Sequence, residues 1–450
     1  MKKTIVLSLL ILSALVGSAQ AAEFTISPFV TNVTRTSIDI CFQSESNQLA
    51  AINFGPTADY GSEIFVSGEL LDATWGHYLL FGAVTWYDLV QRYAYCTTIE
   101  NLEPDSLYHY AVTLGDASSA DSTFASAPDP DQPFRFVVYG DSRSDPLYPL
   151  GETNQFHQGV IERMAQYDFD FMFNVGDIVN DGHDMQLWQI ALATSAPVAA
   201  RSAYYPIYGN HEDREEEGID GKDVYSAIFS NPGEQSLSGN EFYYSFNYSN
   251  AHFVVVSTEH GFQPGDAQYQ WIADDLEETA LNPDITWKFM LFHIPAFTSS
   301  FRWPTDNTEH QAQEFIVPLA EEYELDMVLM GHEHSYERSY KDGIYWMVAG
   351  NGGALPTFFG NPAHNPYSQF FEPNGDFEHF GFCLIEINGD YLKLESIISD
   401  GTIIDTLEIG DPPEPDPDDD DDDDIDDDDV DDDDDINADD DDDDDNGCCG

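Results

Sequence analysis

Met327-Val328-Leu329-Met330-Gly331-His332-Glu333-His334 is an apolar run that ends at a glycine and then delivers two histidines two residues apart. The four apolar residues read as a buried strand. On extended backbone, positions i and i+2 point to the same side, which sets His332 and His334 next to each other at a strand end. Imidazole is a common ligand of divalent metals. A His-x-His pair alone is more often a solvated loop than a metal site. The question is whether other strand ends bring carboxylates, an amide and a third histidine to match it.

Four other apolar runs end in the required way. Residues 134–139 lead to Gly140-Asp141, 169–175 to Gly176-Asp177, 204–208 to Gly209-Asn210-His211-Glu212, and 285–292 to His293. Further strands are expected at 242–246 and 252–257. Helical periodicity separates several runs, at 156–167, 267–280 and 309–323, the last bent by Pro318. The final third is strand-rich, with runs at 345–349, 380–387, 391–398 and 403–409. The pattern predicts an α/β (α+β) fold of two mixed sheets flanked by helices. In such sheets ligands bind at the carboxyl ends of strands. A single Gly-Asp is usually only a turn. Five strand ends carrying Asp, Asp, Asn, His and His/His in one architecture form a coherent ligand set.

As an ordered series, Gly140-Asp141, Gly176-Asp177, Gly209-Asn210-His211-Glu212, His293 and Gly331-His332-Glu333-His334 resembles the signature of the calcineurin-like metallophosphoesterase superfamily. Within it, the continuation Ser335-Tyr336-Glu337-Arg338 and the region upstream are similar to purple acid phosphatases. The likeness covers about residues 134–350, with a continuation to about 409. It implies two metal ions (Fe, Zn or Mn). Asp177 is expected to bridge them, with Asp141 and His334 completing one site and Asn210, His293 and His332 the other. It further implies hydrolysis of phosphate monoesters by a metal-activated water, with His211 as a catalytic group that protonates the leaving oxygen or stabilises the transferring phosphoryl group. A phosphodiesterase acting through the same centre is the alternative. A non-catalytic, calcium-binding surface protein is the alternative of another class.

The chain departs from the family pattern at three places. Purple acid phosphatases carry a tyrosine three residues after the bridging aspartate; here that position is Asn180, which is expected as a further ligand or as an outer partner of the ligands. Without the tyrosinate the protein is expected to be colourless. Many superfamily members have a histidine two residues after the first aspartate; here it is Arg143, expected to contact phosphate through its forked donors. Arg302, in Phe301-Arg302-Trp303, is the second candidate phosphate contact, with His310 a weaker one. His260, His364 and His379 read as structural or rim positions.

Upstream, residues 22–127 read as short strands without helical periodicity, an all-β sandwich. The run Leu102-Glu103-Pro104-Asp105-Ser106-Leu107-Tyr108-His109-Tyr110 resembles the turn and strand of fibronectin type III-like domains. No catalytic constellation stands out there. Three prolines in residues 128–133 make a linker, and 134–410 is the expected metallophosphoesterase domain. Cys41 and Cys96 lie in separate strand-like runs and either pair or do not; Cys383 reads as a small buried hydrophobe.

Residues 1–21 have the charge, apolar run and Ala-Gln-Ala ending of a secretory signal peptide. No other run is apolar for long enough to span a bilayer, so the chain is expected to be secreted, periplasmic or held at the cell surface. Of 450 residues, 85 are acidic and 15 basic, a net charge of −70. The tail at 411–450 is mostly aspartate and too polar to fold; it reads as a solvated spacer, with loose Ca²⁺ binding as the alternative. Cys448 and Cys449 close it. Without that tail, 59 acidic residues still face 15 basic ones. Such a surface argues against a nucleic-acid partner and leaves a phosphate ester dependent on local positive charge.

Overall fold

Alternation along each central strand sends its residues into two different cores. In the strand Phe134–Tyr139, Phe134, Phe136 and Val138 face one layer, and Val137 and Tyr139 the opposite one. Every residue of its parallel neighbour, Phe171–Asn174, is likewise buried. Strands buried on both faces read as continuous apolar runs, which is how they appear in the sequence. The computed structural model describes residues 23–78, 84–143, 153–233, 235–300, 307–357, 360–361 and 363–413. The expected signal peptide, Arg302 and the acidic tail from residue 414, with Cys448 and Cys449, lie outside the described residues.

Two mixed sheets form the α/β part. The first runs in the order Ala203–Pro206, Phe171–Asn174, Phe134–Tyr139, Gly381–Asn388, Tyr391–Ile398 and Ile403–Ile409; its first three strands are parallel and the rest antiparallel. The second runs Tyr244–Tyr248, Ala251–Val255, Trp287–Phe292, Met327–Met330, Ile344–Ala349, Tyr336–Lys341 and Ser368–Glu372, with a parallel centre from 251 to 349. Between the sheets Phe136, Phe171, Phe173, Phe253 and Phe289 interlock, with ring centroids 5.0–6.3 Å apart, mostly edge-to-face, as aromatic quadrupoles prefer. On the outer face of the first sheet, Val137, Tyr139 and Met172 pack with Val160, Ile161 and Met164 of the helix Gln155–Met164. On the outer face of the second, Val254, Met290, Val328 and Met330 pack with Ile272 and Leu276 of the helix Ala267–Ala280.

Register brings the ligand-bearing ends together. Tyr139 pairs with Asn174 and Asn174 with Pro206, so three parallel strands finish at one edge. Phe292 pairs with Met330 at the matching edge of the second sheet. Each chain then enters its Gly-Asp, Gly-Asn-His or His segment at the same level.

Two elements differ from the sequence reading for identifiable reasons. Met185–Ala199 is a helix that periodicity does not mark, because Met185, Leu187, Trp188, Ala191, Leu192 and Val198 bury it on more than one side and Pro197 stands in its last turn. Its Asp184 cap accepts from the Gln186 amide. The helix expected over 309–323 is split by a π-turn at Ala312–Ile316, after which Val317–Glu322 begins with Pro318 in its first turn, where a missing N–H costs nothing.

The N-terminal strands form two antiparallel sheets, Phe24–Thr31, Ser37–Ser44, Val84–Glu100 and Glu69–Tyr78 in one, and Ser62–Val66, Ala50–Gly55, Leu107–Leu114 and Ala117–Ser118 in the other. Cys41 and Cys96 stand opposite each other on neighbouring strands and are joined by a disulfide; Cys383 is a buried thiol. The Tyr108 hydroxyl accepts from the Glu103 amide at 2.9 Å and fixes the turn before its strand. These sheets pack on the α/β part as one unit. Val33 donates to the Tyr205 hydroxyl at 2.9 Å, the Tyr110 hydroxyl to the Ala200 carbonyl at 2.8 Å, and Thr74 to the His183 carbonyl at 3.0 Å.

Candidate functional site

Three of the residues that leave these strand ends adopt left-handed backbone. Asp141, Asp177 and His332 have φ of 53°, 55° and 68°. Asp and His tolerate that region better than most side chains, and strain of this kind concentrates at functional sites. Two glycines make room for it. A Cβ on Gly176, itself at φ +98°, would lie 2.5 Å from His293 Nδ1, and one on Gly331 would lie 2.8 Å from Asp141 Oδ2. The Asp141 amide donates to the Gly176 carbonyl within the first sheet's loops and the Gly331 amide to the His293 carbonyl within the second's, and the His332 amide donating to Asp141 Oδ2 at 2.7 Å joins the two sets into one floor.

On that floor all six expected ligands converge. His293 Nε2 is 3.1 Å from Asp177 Oδ1 and 3.1 Å from Asn210 Oδ1, and His332 Nδ1 is 3.0 Å from the same Asn210 oxygen. His334 Nε2 is 3.4 Å from Asp141 Oδ1. The donor atoms of Asp177, His293 and His332 lie within 4.8 Å of one another, as do those of Asp141, Asp177 and His334. Asp177 thus belongs to both groups. Carboxylate, amide oxygen and imidazole are the donors of Zn, Mn and Fe sites, so the residues fit the expected ions. Asp141, Asp177, His293 and His334 are buried, while Asn210, His211 and His332 are part-exposed and form the open side.

The histidines are oriented from behind. His293 Nδ1 bonds the Val175 carbonyl at 2.7 Å and His334 Nδ1 bonds the Leu355 carbonyl, which leaves Nε2 of each facing the centre. Burial works against a charge on His293, but the Asp177 carboxylate overrides it and raises its pKa to about 10. Burial likewise raises Asp177, and His293, His211 and Arg143 more than reverse this, holding it well below the usual carboxylate range.

Arg143 is buried, with 4% of its surface exposed. Its Nε lies 3.3 Å from Asp177 Oδ2, its Nη1 donates to Asn180 Oδ1 at 3.0 Å, and its Nη2 is 3.4 Å from His334 Nε2. Asn180 stands behind that guanidinium and not among the histidines. His211 Nδ1 meets the Asn180 carbonyl at 2.7 Å, and its Nε2 lies 3.2 Å from Arg214 Nη2 and 3.6 Å from Asp177 Oδ2. Burial lowers the His211 pKa to about 3; Asp177 opposes this, and Arg143 and Arg214 reinforce it. The imidazole is neutral, with its Nδ1–H given to Asn180 and its Nε2 accepting from Arg214. His310 is exposed on its helix. His260 bonds Ser257 Oγ and stacks on Phe242, a packing role.

Sequence reasoning did not single out two residues that matter here. Glu212, fully buried, accepts four backbone amides: Asp177 and Gly209 on Oε2, Ile178 and Val179 on Oε1. Burial and the Asp177 charge push its pKa up. With every lone pair taken by an N–H, no position is left for a proton, and we assign it as the carboxylate. Arg214 bonds Asp181 at 2.7 Å and the Asn180 carbonyl at 2.8 Å beside His211. Their sequence signal is their place within three residues after Asn210-His211.

Residues 134–336 match the family model described as calcineurin-like phosphoesterase. This stretch is a calcineurin-like phosphoesterase domain. It holds every expected ligand of the centre. The chain is 27% identical over 290 residues to a probable purple acid phosphatase 20 of Arabidopsis thaliana, covering 60% of this chain and 63% of that protein. It is 28% identical over 267 residues to purple acid phosphatase 1 of Ipomoea batatas, covering 56% of this chain and 53% of the relative. The chain thus spans less than two thirds of these relatives' length. The fold matches that of a purple acid phosphatase from yellow lupin (Lupinus luteus) seeds, with a TM-score of 0.68 at 21% identity over 87% of this chain and 74% of that one. The phosphoesterase domain with an all-β region before it is therefore an arrangement this chain shares with a solved phosphatase.

Proposed function

We propose that this protein is an exported, metal-dependent phosphatase that hydrolyses phosphate monoesters at a two-ion centre held by Asp141, Asp177, Asn210, His293, His332 and His334. The observation that supports this reading most is the convergence of those six side chains where the strand ends of two sheets meet. Bound by these residues, the ions would supply Lewis acidity to phosphoryl oxygens and to a water. Asp177 offers one oxygen to each half of the centre. His211 and Arg214 form the open rim, where the Arg214 guanidinium meets the phosphoryl group as charge moves onto the leaving oxygen and His211 Nε2 takes up a proton and passes it to that oxygen. On a chain with a net charge of −70, Arg214 brings a guanidinium, paired with Asp181, to the side from which an anionic ester would approach. Export rests on residues 1–21, and a mature protein beginning near residue 22 is expected.

The test is turnover of a monoester and a diester by the full chain loaded with Zn²⁺, Mn²⁺ or Fe. Monoester turnover is expected to exceed diester turnover; the reverse order makes the protein a phosphodiesterase, and no turnover with any ion ends the enzymatic reading. His211→Ala should lower kcat by about 10²–10⁴ while leaving bound metal unchanged. His293→Ala should lose metal as well as activity.

A further inference from the structure

We infer that the Arg143 guanidinium is a built-in cation of the Asp141/Asp177/His334 pocket, so that the protein holds one metal ion tightly, at Asp177, Asn210, His293 and His332, and a second only weakly. The inference rests on the metal-centre reading above and deepens it by making the two halves unequal.

The groups that Arg143 touches are those that a metal in this pocket would need. Asp177 Oδ2 lies 3.3 Å from Arg143 Nε, while Asp177 Oδ1 faces His293 at 3.1 Å, so the shared carboxylate already has one oxygen turned to each half. His334 has Nδ1 committed to the Leu355 carbonyl, and its remaining lone pair on Nε2 faces Arg143 Nη2 at 3.4 Å. That lone pair serves either the guanidinium or an ion. Asn180 Oδ1, the other donor at this end, accepts from Arg143 Nη1.

Arg143 is not free to leave at little cost. Its amide donates to the Asp177 carbonyl at 3.2 Å and its carbonyl accepts from Asn154 Nδ2 at 3.1 Å, which fixes the backbone on both sides. The side chain is a buried guanidinium. A divalent ion entering this pocket must displace a guanidinium or sit against it, and like charges repel strongly where water is excluded. The three Arg143 side-chain contacts above fall on Asp177 Oδ2, Asn180 and His334, so its charge bears most directly on this half. The donor exchange is balanced: Asp177 Oδ2 and His334 Nε2 each swap an N–H donor for a metal bond, and no proton or electron is transferred.

The test is Zn²⁺ uptake by the full chain after chelator stripping, by calorimetric titration and by elemental analysis after dialysis. A His293→Ala/His334→Ala chain measures and subtracts uptake by the acidic tail. The expected wild-type result is one retained equivalent and a second bound at least tenfold more weakly. Arg143→Ala should retain two equivalents, with the second tightened tenfold or more, and Arg143→Lys should behave as wild type. Arg143→Gln, close in length but uncharged, repeats the test if Arg143→Ala does not fold by circular dichroism. Two equally tight ions in the wild type, or unchanged stoichiometry in both uncharged variants, overturns the inference and leaves the metal centre standing. No uptake above the tail background by any variant removes the centre itself, and the inference with it.

Discussion

Glu212→Ala is the change by which the bracing of this site is best tested. The carboxylate is fully buried and receives the amides of Asp177 at 2.9 Å, Gly209 at 2.9 Å, Ile178 at 2.8 Å and Val179 at 3.1 Å. One side chain thereby ties the loop after Phe171–Asn174 to the loop after Ala203–Pro206. Alanine orphans four buried donors. Each costs about 1–3 kcal/mol if nothing replaces its partner, and a water entering the space satisfies one or two, so the net loss should be about 3–5 kcal/mol. Urea unfolding followed by circular dichroism reads this loss. The same change should weaken metal binding about 10–100-fold, because Asp177 is a ligand whose own amide has lost its anchor. Glu212→Gln keeps the volume but points an NH₂ at two N–H donors, so it should recover less than half of the loss. A stability change under about 1 kcal/mol with unaltered metal affinity would refute the bracing role.

Two further predictions concern stability. Burial lowers the His157 pKa to about 3, against about 6.5 in an unfolded chain. Its contribution is thus fully present above pH 6.5 and is lost as the pH falls toward 3, by about 2–3 kcal/mol at pH 4.5; His157→Leu should flatten that part of the pH–stability curve, and an unchanged slope counts against it. The Cys41–Cys96 bond closes a loop with a sequence separation of 55, so Cys41→Ser/Cys96→Ser should lower unfolding free energy by about 4 kcal/mol on the chain-entropy account, read by thermal melts of the oxidised and variant proteins.

The site was legible in the sequence because its geometry is local. A strand that ends at a glycine must release the next side chains at a sheet edge, and this holds for Asp141, Asp177, Asn210, His293 and His332/His334 one at a time. The type of each residue fixes its chemistry, so candidate ligands could be listed without coordinates, while their division between two ions came from the family resemblance. The helix Met185–Ala199 was not legible, since it is buried on more than one side and leaves no polar stripe. The disulfide was undecided for the related reason that pairing depends on register, and only the Ser37–Ser44 and Val84–Glu100 ladder puts Cys41 opposite Cys96.

Arg143 marks the boundary between the two kinds of information. By itself the sequence determined that an arginine stands two residues after the first aspartate and that no tyrosine follows the second. It could not say where a long, flexible side chain goes. An arginine reaches several ångströms in any direction, and in a chain this acidic many carboxylates compete for it. The tertiary structure decided that contest by holding the Arg143 backbone between the Asp177 carbonyl and Asn154. That aims the guanidinium into the centre, onto Asp177, Asn180 and His334. Strand ends and residue types specify which atoms a site contains. Packing and register specify which of them meet, because both depend on partners far away in the chain.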